Sequence, residues 1–303
     1  MEIPDSASIM IQSTFQHVTG VYRKGELRLW QSGITNWDKL LGTPHKHANF
    51  TKKLWNRLRT DVIQCKKALE RNDFDFFINK FPEDIIWRLI PNLKGKILYF
   101  DIEATGLDLI EDSITTISTF DGSEIKYFVK DQNMEEFIPY LENFDAIATF
   151  DGEKMDLPFI ESKFGYNFYH IHFDLFKLSR RLGISGGLKQ IEKYLGISRN
   201  TKNLDGIDGK SAIYLWKEYQ LTNDKQYLDT LLAYNIEDAV NLESILFWFY
   251  DRLRAKEGLP VKSLKFKSNN ISSPIEPNSK VLELIHEKYI KKSNNDENEE
   301  SKT

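Results

Sequence analysis

An α/β domain with a mixed sheet flanked by helices, preceded by a small all-α module, is the fold that this 303-residue sequence predicts. Three observations carry that reading. Short runs at 97–100, 113–120, 124–129, 145–150 and 170–173 are apolar or alternate in strand fashion, with turn residues or helical patterns between them. From Tyr227 to Tyr250 a longer stretch sets Leu228, Leu231, Leu232, Val240, Leu242, Ile245, Leu246 and Phe249 at the spacing of a helix packed on a core. Residues 15 to 93 are patterned as helices.

In chain order, residues 1–50 hold Val18-Thr19-Gly20-Val21, then Glu26 to Trp30, then Gly33-Ile34-Thr35-Asn36-Trp37-Asp38-Lys39-Leu40-Leu41. This resembles a helix-hairpin-helix unit, in which a glycine turn offers backbone amides to a phosphate. One turn glycine, Gly20, stands where the full motif carries two, and Arg23 and Lys24 follow it. A plain three-helix packing module and a DNA-backbone clamp both remain open, and Trp30 and Trp37 read as core. Residues 51–95, with Leu54, Leu58, Val62, Leu69, Phe74, Phe76, Phe77, Ile85, Ile86 and Trp87, read as linking helices. Residues 96–258 form the α/β domain. Its second and third strands are joined by the hairpin turn Asp121-Gly122, and Met134 to Leu141 is a crossover helix to the strand at Ala146. Residues 259–303 are an extension, charged and without apolar anchors from about residue 291, where disorder is expected.

Composition narrows the setting. The single cysteine, Cys65, excludes a disulfide framework and fits a reducing compartment. No stretch approaches the roughly 20 apolar residues of a membrane span, and the start Met1-Glu2-Ile3-Pro4-Asp5 lacks a signal sequence, so a cytoplasmic location without membrane contact is expected. The net charge of −4 is unevenly divided. Residues 1–95 hold roughly 15 basic and 10 acidic groups, residues 96–250 roughly 15 and 26, and the remainder roughly 11 and 9. The acidic excess lies in the α/β domain.

Within that domain, Phe100-Asp101-Ile102-Glu103-Ala104-Thr105-Gly106-Leu107 puts two carboxylates one residue apart on a strand. Side chains alternate along a strand, so Asp101 and Glu103 share a face and can grip one cation. Oxygen pairs of this kind hold magnesium or manganese. Farther on, Asp156 stands at the start of a helix after the strand at Ala146, and Tyr234 and Asp238 are four apart on one helical face. His170 and His172, two apart on one strand face, read as packing or surface residues rather than metal ligands, as do His45 and His47, because no third ligand accompanies either pair.

These residues carry a family resemblance. The chain resembles the DEDD-type 3′-5′ exonucleases of ribonuclease-H-like fold: Asp101 and Glu103 match the first motif, Asp156 the second, and Tyr234 with Asp238 the third. Position 233 is Ala and 234 is Tyr, which matches the tyrosine branch. A narrower similarity, to the YprB-like exonuclease group, rests on Phe173-Asp174-Leu175, on Gly187 to Ile197 and on Tyr234-Asn235-Ile236-Glu237-Asp238. The chain departs from the pattern at Asp151, where the second motif often begins with Asn.

The resemblance implies two divalent ions, Mg2+ or Mn2+. Asp101 would bridge them, Glu103 and Asp238 would each support one, and Asp156 would act through an intervening water. Tyr234 would orient the attacking water through its hydroxyl, a role that its unperturbed pKa, about 10, allows. Clustered carboxylates repel one another until cations neutralise them. Thr105, Gly106 and Leu107 would meet the terminal nucleotide, with Asp151 beside the strand. Arg180, Arg181 and Lys189, around the Gly186-Gly187 turn, are either contacts to backbone phosphates or solvated helix faces. The expected activity is release of nucleotides from the 3′ end of nucleic acid, with single-stranded DNA ahead of RNA. An exoribonuclease and a catalytically silent nucleic-acid-binding scaffold are the alternatives. No protein partner is indicated.

Overall fold

The computed structural model describes residues 10–45, 50–199, 204, 207–263, 271 and 273–290. His47 and the charged tail from residue 291 lie outside them. The chain divides into two compact units, Met1–Lys94 with Trp248–Phe266, and Gly95–Phe247 with Lys267–Thr303.

In the first unit, α1 (Arg23–Gln31), α2 (Trp37–Gly42), α3 (Lys52–Glu70) and α4 (Phe74–Lys80) precede a run of 3-10 turns, Glu83–Leu93. Three of these helices begin where a short polar side chain accepts a hydrogen bond from a first-turn amide: Asn36 from Lys39 at 2.9 Å, Thr51 from Leu54 at 3.3 Å and Asp73 from Phe76 at 3.1 Å. Trp30 and Trp37 are buried, and their indole nitrogens donate to the carbonyls of Ser13 and Thr14. They are core residues, as their sequence context suggests. Gly20 has φ +93°. Arg23, three residues later, is engaged by Glu257 through its carboxylate at 3.2 Å and its carbonyl at 2.6 Å. Cys65 is buried, which pushes its thiol up to about 12.

Arg88 is fully buried and forks onto Glu26, with N–O distances of 2.9 and 3.1 Å, and onto Glu257 at 2.7 Å. Glu26 also accepts from the amide of Phe15 at 2.7 Å. Burial opposes the Arg88 charge, but the two carboxylates overcome it and raise the pKa. Charges this deep persist only when paired in this way.

The second unit is built on a five-stranded sheet in the order β3-β2-β1-β4-β5. Its strands are β1 (Ile97–Ala104), β2 (Ile114–Phe120), β3 (Ile125–Val129), β4 (Ala146–Thr149) and β5 (Ile171–Asp174). Hairpin connections make β1-β2 and β2-β3 antiparallel, whereas β1-β4 and β4-β5, which need crossovers, are parallel. The sheet is therefore mixed, as expected. The crossovers carry α5 (Phe137–Leu141), entered by a 3-10 turn at Met134–Glu136, and α6 (Asp156–Phe164). Beyond the sheet come α7 (Leu175–Leu182), α8 (Leu188–Leu195), α9 (Gly209–Thr222), the long α10 (Lys225–Glu257) and α11 (Ser279–Ile285).

Strand β1 sorts its side chains by parity. Leu98 and Phe100 enter an apolar cluster with Ile147, Phe128, Phe137 and Phe159, and Ile102 packs at its margin. The alternate set, Tyr99, Asp101 and Glu103, takes the other face.

Candidate metal centre

The site begins where β4 stops. Strand β4 pairs with β1 only from Ile97 to Tyr99, so the carboxyl half of β1 extends past its parallel neighbour. Open α/β sheets form their clefts at the carboxyl ends of such strands. The Ile102 amide, which no strand reaches on that side, donates instead to Asp156 Oδ1 at 3.2 Å. Asp156 opens α6 and is buried. On the other side, Asp101 lies opposite Ser118 and Glu103 opposite Thr116, and the register slips between Glu103 and Ala104.

Helix α10 completes the cluster. Asn235 donates from Nδ2 to Asp101 Oδ2 at 2.7 Å and to the Asp101 carbonyl at 3.1 Å, and its Oδ1 accepts from Thr116 Oγ1 at 3.1 Å. That amide orients the Asp101 carboxylate and ties helix to sheet. One turn on, Asp238 joins Asp101 and Glu103, and one carboxylate oxygen from each of the three lies within 4.8 Å of the others. Three hard oxygen donors at that separation fit a divalent cation of the magnesium or manganese class.

Electrostatics agree with that fit. Burial raises the pKa of Asp101 well above the ordinary carboxylate range, and Asp238, Asp156 and Glu103 raise it further, while the Asn235 hydrogen bond works the other way. Glu103 is raised well above its range by burial, Asp238 and Asp156, with Lys189 opposing. Both keep part of their surface open to solvent, yet the protein packed around their carboxylates makes a charge costly. Asp156 is pushed up to about 7, chiefly by burial, against hydrogen bonds from its own amide and that of Ile102. A cation in the nest relieves this repulsion.

Tyr234 is buried beside Asp238. Burial first, then Asp238, Glu103 and Asp101, lift its pKa well above 10, and a hydrogen bond to Asp238 adds to the rise. The hydroxyl is held more firmly protonated than that of a free tyrosine.

A cleft of about 350 Å³ borders Tyr234 and Asp238 and includes Lys189 and Asp208 in its wall. Lys189 lies in the first turn of α8, with Nζ 4.6 Å from the centre of the Tyr234 ring. Burial lowers its pKa, and Arg199 adds to this against the pull of Asp238. The turn before α8 requires glycine at 186. Its φ is +119°, and a Cβ there would sit 2.3 Å from Gln190 Oε1. Arg180 and Arg181 occupy the last turn of α7 and do not line the cleft, Arg180 lying 6.0 Å from the Phe176 ring centre.

The loop after β1 is folded around Asp112, which accepts from Thr105 Oγ1 at 2.8 Å and from the Asp108 amide at 2.9 Å. Thr105 Oγ1 also accepts from the Ser113 amide, so this hydroxyl is committed to the loop. At Gly106 a Cβ would lie 2.3 Å from Asp112 Oδ2, which explains the glycine. Leu107 is 77% exposed. Asp151 adopts φ +58°, a left-handed conformation that Asn and Asp tolerate better than most residues, so Asp can stand where Asn is common. Its carboxylate pairs with Lys154 at 3.0 Å and its amide donates to Asp174. Of the histidines, His172 bonds Thr149 Oγ1 through Nε2 at 2.8 Å and His170 stacks on Tyr169.

Three features of the site are given no role by the sequence alone. They are Asn235, the ion pair of Arg199 with Asp238, and the pairing of Arg199 with Glu192, which Asn241 also holds at 2.7 Å. Asn235 sits three residues before Asp238 on one helical face, a spacing that could have pointed to it.

A family profile described as the RNase_H superfamily matches residues 98–250, half of the chain and all five strands except the first residue of β1. The chain belongs to the RNase H superfamily. Among solved structures twelve chains match. One is a family B DNA polymerase from the hyperthermophilic archaeon Pyrobaculum calidifontis, with 16% identity and a TM-score of 0.41 over 51% of this chain and 25% of that one. The match spans about a quarter of the polymerase's length. No curated protein is significantly similar to the chain. In this RNase H superfamily domain the acidic cluster lies at the carboxyl end of β1, and among the described residues no helix is long and apolar enough to cross a membrane.

Proposed function

We propose that this RNase H superfamily protein is a metal-dependent 3′-5′ exonuclease of the tyrosine-branch DEDD type, allied to the YprB-like group and acting on single-stranded DNA in the cytoplasm. The observation that carries the reading is the convergence of Asp101, Glu103 and Asp238 within 4.8 Å, with the Asp156 and Tyr234 side chains close enough to shift or share their charge.

Asp101, Glu103 and Asp238 are the residues that would hold two ions, Mg2+ or Mn2+, with Asp156 supporting them through water. Bound divalent cations stabilise the charge that grows on the phosphoryl and leaving 3′ oxygens during in-line displacement, a task suited to two ions about 3.5 to 4 Å apart. Asn235 keeps Asp101 in one orientation, so the donor set needs little reorganisation. Tyr234, protonated across the working pH range, offers its hydroxyl to position the attacking water and does not serve as a base. Lys189 faces the cleft as a cation for the strand's phosphates. Arg180 and Arg181 would extend that contact along the strand. Leu107, exposed at the end of the first motif, together with Thr105, Gly106 and Asp151, would form the rim that receives the terminal nucleotide.

Matched single strands of DNA and RNA, each labelled at the 5′ end and incubated with Mn2+, test this. The expected result is stepwise shortening of the DNA from its 3′ end, abolished by a chelator. Digestion confined to RNA would reassign the protein as an exoribonuclease, and no digestion of either strand would leave a silent binding scaffold.

A further inference from the structure

Arg199 lies just beyond the Gly196 cap of α8, and its guanidinium is shared between two carboxylates of different standing. Nε donates to Glu192 Oε2 at 3.1 Å, and Nη2 bonds both Glu192 oxygens at 3.0 and 3.2 Å. Nη2 also bonds Asp238 Oδ1. The side chain is only 6% exposed, and Nη1 has no hydrogen-bond partner among the described residues. Among the described residues Glu192 thus takes three of the guanidinium's four hydrogen bonds and Asp238 one. Asp238, by contrast, is one of the three carboxylates able to hold a cation. A guanidinium and a divalent ion on the same carboxylate are like charges in contact, and in a buried setting that repulsion is weakly screened.

We propose that Arg199 is a built-in counter-ion that competes with the divalent cation for Asp238, and that Glu192 is the carboxylate onto which it withdraws when the cation enters. The inference rests on the cation-binding reading given under Proposed function. Without a cation, Arg199 offsets one charge of a cluster that is otherwise self-repelling. With a cation, Asp238 changes partner while Glu192, held in place by Asn241, keeps the guanidinium paired. Arg199 is a positioning residue in this scheme, since it acts through Asp238.

Calorimetric titration of the full-length protein with Mn2+ alone, comparing wild type, Arg199→Gln and Glu192→Gln, gives a test in which the two variants move in opposite directions. Losing a charge-assisted hydrogen bond to the competitor makes Arg199→Gln bind Mn2+ about tenfold tighter. Glu192→Gln removes the alternative anchor, leaves the guanidinium on Asp238 and weakens Mn2+ about tenfold. The Arg199→Gln protein also melts lower than wild type without cation and gains more on Mn2+ addition. Should Arg199→Gln fail to fold by circular dichroism, Arg199→Lys keeps the charge but loses the forked hold, and a tightening of about threefold is expected. Variants that shift the same way, or an arginine variant that binds Mn2+ no tighter than wild type, overturn this proposal alone. A wild type that binds no Mn2+ overturns the cation reading and the proposal with it.

Discussion

Asp101 has little freedom: its Oδ2 and its own carbonyl are both held by the Asn235 amide, which Thr116 fixes in turn. Asn235→Ala leaves that carboxylate unbraced, and the loss of a buried hydrogen bond to a charged group costs about 1.5–3 kcal/mol. The expected result is kcat lower by about tenfold to a hundredfold with KM nearly unchanged, read from single-turnover digestion of a labelled strand. Tyr234→Phe removes the hydroxyl and is expected to lower kcat by a similar factor. Because the phenol is raised well above 10, the wild-type rate shows no fall from tyrosine ionisation below about pH 10, which a pH–rate profile checks. At this scale the sequence was readable where spacing alone sets geometry. Asp101 and Glu103 share a strand face, and Tyr234 and Asp238 share a helix face. Arg199 and Glu192 were not readable, because their meeting with Asp238 depends on how the segment after α8 returns to α10, and no periodicity encodes that.

Helix starts and turns hold the elements that carry these side chains. Asp174, the last residue of β5, accepts from the amides of Phe176 and Lys177 in α7 and from those of Asp151 and Glu153 in the loop that leads to Asp156. Asp174→Ala is expected to destabilise the protein by about 1–2 kcal/mol in urea unfolding, the range of a lost helix cap, and Asp174→Asn to recover part of it. In the first unit, Arg88→Ala leaves the buried Glu26 without its ion-pair partner, and a loss of about 3–5 kcal/mol is expected in the same measurement. The strands and the long helix were legible from alternation and from helical spacing. The slip of register after Glu103 was not, since one extra residue in a strand leaves the apolar pattern on either side intact. Nor did residues 83–93, rich in apolar side chains, announce that they would wind as 3-10 turns around Pro91, where an α-helix loses its amide.

For the molecule as a whole, the acidic nest couples stability to pH and to cations. Asp156 titrates at about 7 in the folded protein against an ordinary value near 4. The folded state therefore favours its protonated form. That contribution is complete below the ordinary value and is lost as pH rises through about 7, and the upward shifts of Asp101 and Glu103 act in the same direction. The cation-free protein is expected to melt several degrees lower at pH 8 than at pH 5, and Mn2+ to raise the melting temperature more at pH 8, as differential scanning fluorimetry at both values would show. Of the acidic groups of residues 96–250, legible in the sequence, Asp101, Glu103 and Asp238 gather at one place in the fold, and only the sheet topology reveals where. The most direct test of the account compares wild type with Asp101→Asn on two single-stranded DNAs of one sequence, one linear and labelled at its 5′ end, the other circular, both with Mn2+. The account predicts a descending ladder from the linear strand with wild type, an intact circle, and at least a hundredfold slower reaction for the variant. A cut circle, or a variant as fast as wild type, would contradict it.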